Sequence, residues 1–88
     1  MKISVIIVSY NCKVFLDYCL QSVTKALRHI NSELIVIDNC SSDGSVEYLK
    51  SKKYRLKIIE NKKNLGFSKA NNKAAKLAKG EYLFFLNP

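Results

Sequence analysis

Tryptophan is absent from this 88-residue chain; histidine and proline each occur once, and glycine three times. So little glycine and proline excludes collagen-like and low-complexity architectures. The single histidine, His29, lies toward the end of an amphipathic stretch, which argues against a Ser-His-Asp system or a histidine metal site. Cys12, Cys19 and Cys40 are an odd number with no CxxC pair, so neither a disulfide framework nor a zinc site is supported. No apolar run approaches the roughly 18 residues of a membrane span. The charged start Met1-Lys2 leads into Ile3 to Val8, too short for a signal peptide and followed by no small-residue cleavage site. A cytoplasmic location is expected. Acidic residues are scarce, seven against fifteen Lys and Arg, for a net charge of +8. Eleven of those fifteen cations fall between Lys50 and Lys79, an asymmetry suited to an anionic partner or to solvated helix faces.

What is present is ordinary globular chemistry, 48% hydrophobic and 25% charged, in a chain long enough for one small domain. Ile3 to Val8 is a nearly continuous β-branched run, as expected of a parallel strand covered on both faces. The period then becomes helical from Lys13 to about Arg28. Phe15, Cys19, Val23, Ala26 and Leu27 form one stripe, widened by Leu16 and Leu20. Asn11 suits a cap for this helix or the turn into it.

The chain is organised around Leu34 to Ser45, where four apolar residues stop abruptly at Asp38-Asn39 and a run of small and polar residues follows. Ser42 or Asp43 can cap a second helix running to about Lys53, with Val46 and Leu49 inward and Lys50, Lys52 and Lys53 outward. Leu56 to Glu60 reads as a short third strand whose charges suit an edge. A polar loop, Asn61 to Gly66, precedes a third helix from about Phe67 to Ala78, with Phe67, Ala70, Ala74, Leu77 and Ala78 as its buried stripe. Gly80 ends it, and Tyr82 to Leu86 is a fourth strand. The order β-α-β-α-β-α-β predicts an α/β fold with an open, mostly parallel sheet and right-handed crossovers.

Two phosphate motifs are missing. No GxGxxG follows the first strand, and there is no P-loop. No acidic pair follows that strand either, which weighs against a phosphoacceptor receiver. At the carboxyl edge of such a sheet, where ligands bind, remain Ser9, Tyr10 and Asn11 after the first strand, Asp38 and Asn39 after the second, Asn64, Gly66 and Ser68 after the third, and Asn87 after the fourth. A tyrosine face stacks on a nucleobase. A carboxylate accepts the imide N–H of uracil or thymine, or the N–H edge of guanine. Gly66 permits close backbone approach, and the helix start behind it favours phosphate.

Four segments, in order and spanning nearly the whole chain, resemble the amino-terminal half of a family 2 glycosyltransferase with a GT-A fold. They are Val5 to Asn11; Val36 to Asn39 with Ser42 to Ser45; Asn64 to Ser68 with Ala70 to Asn72; and Gly80 to Pro88. The Asn-Leu-Gly-Phe-Ser form at 64–68 is similar to the rhamnosyltransferase-like branch. The resemblance implies a truncated Rossmann-like half of that fold, holding a nucleotide-sugar donor. Ser9, Tyr10 and Asn11 would contact the nucleoside, with Tyr10 beside the base. Asp38 would hold the base by its imide edge, with Asn39 next to it. Gly66 would line the pocket, and Asn71 or Asn72 would orient its loop.

The resemblance also implies that the intact enzyme transfers a sugar with inversion to a carbohydrate or lipid-linked acceptor, in polysaccharide biosynthesis in the cytoplasm or at the inner face of the membrane. In the family's Asn-Pro-Asp variant the Asp holds Mn²⁺ or Mg²⁺; this chain supplies Asn87 and Pro88 only, so no catalytic or metal-binding residue is expected within it. The 88 residues alone are expected to be inactive. Tyr82 to Leu86 would then be an exposed apolar edge open to self-association. As rival readings, Lys69, Lys73 and Lys76 form a helical stripe that a nucleic-acid-binding module would need, or the chain is a non-catalytic interaction remnant.

Overall fold

A computed structural model describes residues 1–51 and 54–88. The elements are β1 (Ile3–Ser9), α1 (Lys13–Ala26), β2 (Ser32–Asp38), α2 (Ser45–Ser51), β3 (Lys57–Glu60), α3 (Phe67–Leu77) and β4 (Tyr82–Leu86). The four strands form one parallel sheet in the order β3-β2-β1-β4, which is the α/β architecture expected from the alternating periodicities. The outward positions expected at Lys52 and Lys53 lie outside the described residues.

Alternation along β1 and β2 divides the core in two. Val5, Ile7, Leu34 and Val36 face α1 and α2 and pack with Leu16, Leu20 and Leu49. Ile6, Val8, Ile35 and Ile37 face α3 and close on Ala70 and Ala74, whose small side chains let the helix lie close to the sheet. Both central strands are thus covered on both faces, which is why their apolar runs do not alternate with exposed polar residues.

The chain runs from β1 outward to β2 and β3, then crosses back through α3 to β4 on the other side of β1. Right-handed crossovers in opposite directions put α1 and α2 on one face and α3 on the other. The reversal leaves a crevice at the carboxyl ends of β1 and β4.

The helix stripes are narrower than expected. In α1 the buried line is Leu16 and Leu20, continued by half-buried Val23 and Leu27; Phe15 and Ala26 are exposed. Tyr48 of α2 donates its hydroxyl to Asp17, so the Asp17 side of α1 faces α2. Phe15, about 200° round the helix from Asp17, is exposed and lines a groove with Asn11 and Lys13. In α3 the buried pair is Ala70 and Ala74, while Phe67 and Leu77 are about half exposed. Among the described residues β4 pairs only with β1, and Tyr82 is 58%, Phe84 53% and Phe85 49% exposed.

At the amino end of the sheet, Glu33 is buried and anchors the turn between α3 and β4. Its Oε2 accepts from Ser4 Oγ at 2.6 Å and from the Lys79 backbone N–H at 2.6 Å. Its Oε1 has no aligned hydrogen bond and is neutralised by Lys57 Nζ at 2.9 Å. Ser4 Oγ in turn accepts from the Gly80 N–H at 2.8 Å.

Candidate functional site

A cleft of about 360 Å³ opens at the carboxyl ends of β1 and β4. Tyr10 and Cys12 come to it from the β1–α1 turn, and Asn39 from the end of β2. Asn64, Gly66 and Phe67 come from the loop into α3, and Asn87 and Pro88 from beyond β4. Open α/β sheets bind ligands at such a reversal of strand order.

Tyr10 is half exposed and lines the cleft, an aromatic ring of the kind that stacks on a ligand. Gly66 has φ +82 and is the N-cap of α3; a Cβ built there would meet nothing within 4 Å, so its backbone faces open space. Asn64 Oδ1 accepts from the Gly66 N–H at 2.8 Å, which tightens the loop before the helix. Phe67, assigned from periodicity to the buried stripe, is 53% exposed and lines the cleft. Its position one residue past a loop glycine, in the first turn of a helix, was the signal available. Cys12 falls just after the first strand, which is what puts it near the ligand edge in sequence, whereas Val8 carried no such signal.

The other expected site residues are placed differently. Ser9 is fully buried, its Oγ 3.6 Å from Cys12 Sγ, and its carbonyl accepts from the Asn39 N–H at 2.8 Å. Asn11 does not cap α1, whose N-cap is Cys12. It sits at φ +47 and turns the chain, donating its N–H to Ser41 Oγ and accepting from the Ser42 N–H at 2.8 Å. Asn11 therefore binds the first loop to the second and lines a neighbouring groove with Lys13 and Phe15.

Asp38 stands at the end of β2 as the run Leu34 to Ile37 required, but it is only 1% exposed. Its Oδ2 accepts from the Ser41 N–H at 2.8 Å and its Oδ1 from Ser41 Oγ at 2.6 Å. Of the two residues expected to cap α2, Asp43 does so. Its Oδ1 accepts from the Ser45 N–H and hydroxyl, and its Oδ2 from the Lys13 N–H at 3.0 Å. One carboxylate thus satisfies orphan amides at the starts of two helices. The Ser45 hydrogen bond is the main reason its carboxyl is held below the usual carboxylate range.

Asn39 is buried and fully engaged. Its Nδ2 donates to the Gly66 carbonyl at 3.3 Å, and its Oδ1 accepts from the Leu65 N–H at 3.3 Å and from Asn61 Nδ2 at 2.8 Å. Orienting the loop is therefore the work of Asn39 and Asn61. Neither Asn71 nor Asn72 makes a side-chain hydrogen bond to it, and Asn72 lines an adjacent groove with Phe67 and Phe85. Among the described residues no group of three His, Cys, Asp or Glu is placed to hold a metal, and the cleft lining contains no carboxylate. The residues present do not by themselves fit a divalent cation.

Lys69, Lys73 and Lys76 are all exposed on α3, but Lys73 Nζ donates to Asn61 Oδ1 at 2.6 Å and is part of the loop framework. Among the described residues no helix is long and apolar enough to cross a membrane.

The model of "Glycosyl transferase family 2" matches residues 4–88. The chain belongs to this family. It is 38% identical over 92 residues to a poly(ribitol-phosphate) beta-glucosyltransferase of Bacillus spizizenii, covering 99% of this chain and 14% of that protein. It is also 38% identical to the beta-1,3-glucosyltransferase WfaP of Escherichia coli, covering 97% of this chain and 34% of that protein. Residues 1–349 of TarS of Staphylococcus aureus, solved in complex with UDP-GlcNAc, superpose with a TM-score of 0.88 at 32% identity, covering 99% of this chain and 26% of that one. The fold is thus that of the Rossmann-like part of a GT-A glycosyltransferase. The chain spans between 14% and 34% of the length of the first curated relatives it matches.

Proposed function

We propose that this chain supplies donor recognition to a glycosyltransferase, holding the nucleoside diphosphate part of a nucleotide sugar in the cleft between β1 and β4. The observation that carries this reading is the convergence of the half-exposed Tyr10 and the open Gly66 backbone at the reversal of strand order. Tyr10 stacks on the base, and the loop into α3 follows the ribose and phosphates. Asp38 is buried and already accepts twice from Ser41, so base reading by its carboxylate requires the Ser41 turn to yield. Asn39 lines the cleft and holds its loop, while Ser9 and Asn11 act behind the pocket wall.

The TarS complex with UDP-GlcNAc supports a uridine diphosphate donor. Titration calorimetry with UDP, GDP and dTDP tests this, with dTDP-rhamnose as the arm for a rhamnosyltransferase-like donor. Binding of UDP above the others is expected. Absence of binding by any nucleoside diphosphate overturns the reading and favours a non-catalytic interaction remnant.

The whole enzyme, on this reading, transfers the sugar with inversion to a carbohydrate or lipid-linked acceptor in polysaccharide biosynthesis, in the cytoplasm or at the inner face of the membrane. Mn²⁺ or Mg²⁺, which the described residues do not hold, would supply the positive charge that the leaving diphosphate needs. These 88 residues alone bind nucleotide and turn nothing over. Bare β4 is the surface for self-association.

A further inference from the structure

The loop that floors the cleft is wired to a lysine on the outer face of α3. Lys73 Nζ donates to Asn61 Oδ1 at 2.6 Å, and Asn61 Nδ2 to Asn39 Oδ1 at 2.8 Å. Asn39 Oδ1 also takes the Leu65 N–H, and Asn39 Nδ2 reaches the Gly66 carbonyl at 3.3 Å. Asn39 and Asn61 are both buried, so neither can turn to water to recover a lost partner.

The two ends of this hydrogen-bonded chain, the Lys73 ammonium and the Leu65-Gly66 backbone, demand the same direction of the amides between them. A carboxamide has one accepting and one donating end, and by shape alone the two are interchangeable. An ammonium group only donates. Lys73 therefore forces Asn61 to present its oxygen outward and its NH₂ to Asn39. Asn39 must then turn its oxygen to Asn61 and Leu65 and its NH₂ to the Gly66 carbonyl. A reversed Asn39 would set its oxygen against that carbonyl and its NH₂ against the Leu65 N–H, two repulsive pairs at the pocket floor. Lys69 and Lys76, on the same helix, have no such contact among the described residues.

We propose that Lys73, acting through Asn61 and Asn39, is a positioning residue that holds the Leu65-Gly66 backbone in place against a bound nucleotide. This rests on the reading of the cleft as a nucleotide site. None of the three side chains needs to touch the ligand.

Lys73→Met removes the donor at an exposed position. Asn61→Asp keeps an acceptor for Lys73 but removes the donor toward Asn39. Lys73→Arg keeps a donor-only group, and Lys69→Met removes the same charge from the same helix. UDP affinity, by calorimetry, is expected to fall roughly three- to tenfold in Lys73→Met and Asn61→Asp, the scale of one net hydrogen bond, and to stay near the original value in Lys73→Arg and Lys69→Met. Hydrogen exchange of the Leu65 amide in the ligand-free protein is expected to accelerate in the first pair only. Equal weakening in Lys69→Met and Lys73→Met would reduce the effect to charge and overturn the proposal. So would unchanged Leu65 exchange in Lys73→Met. If the original chain binds no nucleoside diphosphate, the functional reading fails, while Leu65 exchange still decides the relay.

Discussion

Ser4 and Glu33 face each other in the β1–β2 register, and the Ser4 hydroxyl donates to Glu33 Oε2 at 2.6 Å. This contact lies at the opposite end of the sheet from the cleft and belongs to stability. Burial pushes the Glu33 carboxyl up, but the donors from Ser4 and the Lys79 N–H, with Lys57 beside it, outweigh burial and bring it down from 4.5 to about 2. A carboxyl whose folded value is lowered contributes stability that is fully present above its unfolded value and lost as pH falls toward the folded one. Glu33 is thus expected to contribute on the order of 3 kcal/mol at neutral pH. That contribution should decline between about pH 4.5 and pH 2. Denaturant unfolding across this window should show the decline in the original chain and a much flatter profile in Glu33→Gln.

Two glycines give opposite reasons for resisting the same substitution. A Cβ on Gly80 would lie 2.5 Å from the Ser4 nitrogen and 2.7 Å from the Ile3 carbonyl carbon, backbone atoms of β1 that cannot step aside. Gly80→Ala is expected to cost about 2–3 kcal/mol through overpacking. Gly66→Ala meets no atom, and its cost, about 1 kcal/mol, comes from φ +82 alone. Thermal unfolding should rank Gly80→Ala well below Gly66→Ala, and UDP affinity should fall more in Gly66→Ala.

Asp43 ties α1 to α2 through the amides of Lys13 and Ser45. Asp43→Ala is expected to cost about 1–2 kcal/mol, the scale of a lost cap, with Asp43→Asn recovering part of it. Urea midpoints for the two variants check the order.

Tyr10 is half exposed, and no described hydrogen bond holds its hydroxyl. Tyr10→Ala should leave the melting temperature nearly unchanged while weakening UDP roughly tenfold, the scale of one lost base-stacking contact. A variant that melts early, or that binds as well as the original, would remove Tyr10 from the base site.

Along β4 the side chains of Tyr82, Leu83, Phe84 and Phe85 are all exposed. Sedimentation velocity should show concentration-dependent association that Phe84→Lys suppresses, since a charge on a bare edge opposes pairing. A monomer at every concentration, with the original sequence, would sink this expectation.

Periodicity carried the elements, because each run had one dominant signal. Ile3 to Val8 and Leu34 to Ile37 are short runs rich in Ile and Val, and Tyr82 to Leu86 coincides with β4 residue for residue. It did not carry which flank of a helix is covered. Phe15 and Phe67 fit their stripes by spacing, yet both are exposed, because spacing names a face of a helix and not what lies beneath it.

For the site, the sequence by itself determined that Asp38 ends a buried strand, that Tyr10 follows another, and that Gly66 opens a helix. Those facts depend on local pattern and on the few residue types that tolerate a turn. Only the tertiary structure decided what each group faces. It folded Ser41 onto both Asp38 oxygens and pointed Ser9 into the core. It also gave the loop to Asn39, Asn61 and Lys73 rather than to Asn72. The reason is physical: a side-chain amide or carboxylate is satisfied by whatever donor the fold brings within about 3 Å, and the partners of Asn39 lie 22 to 27 residues away along the chain.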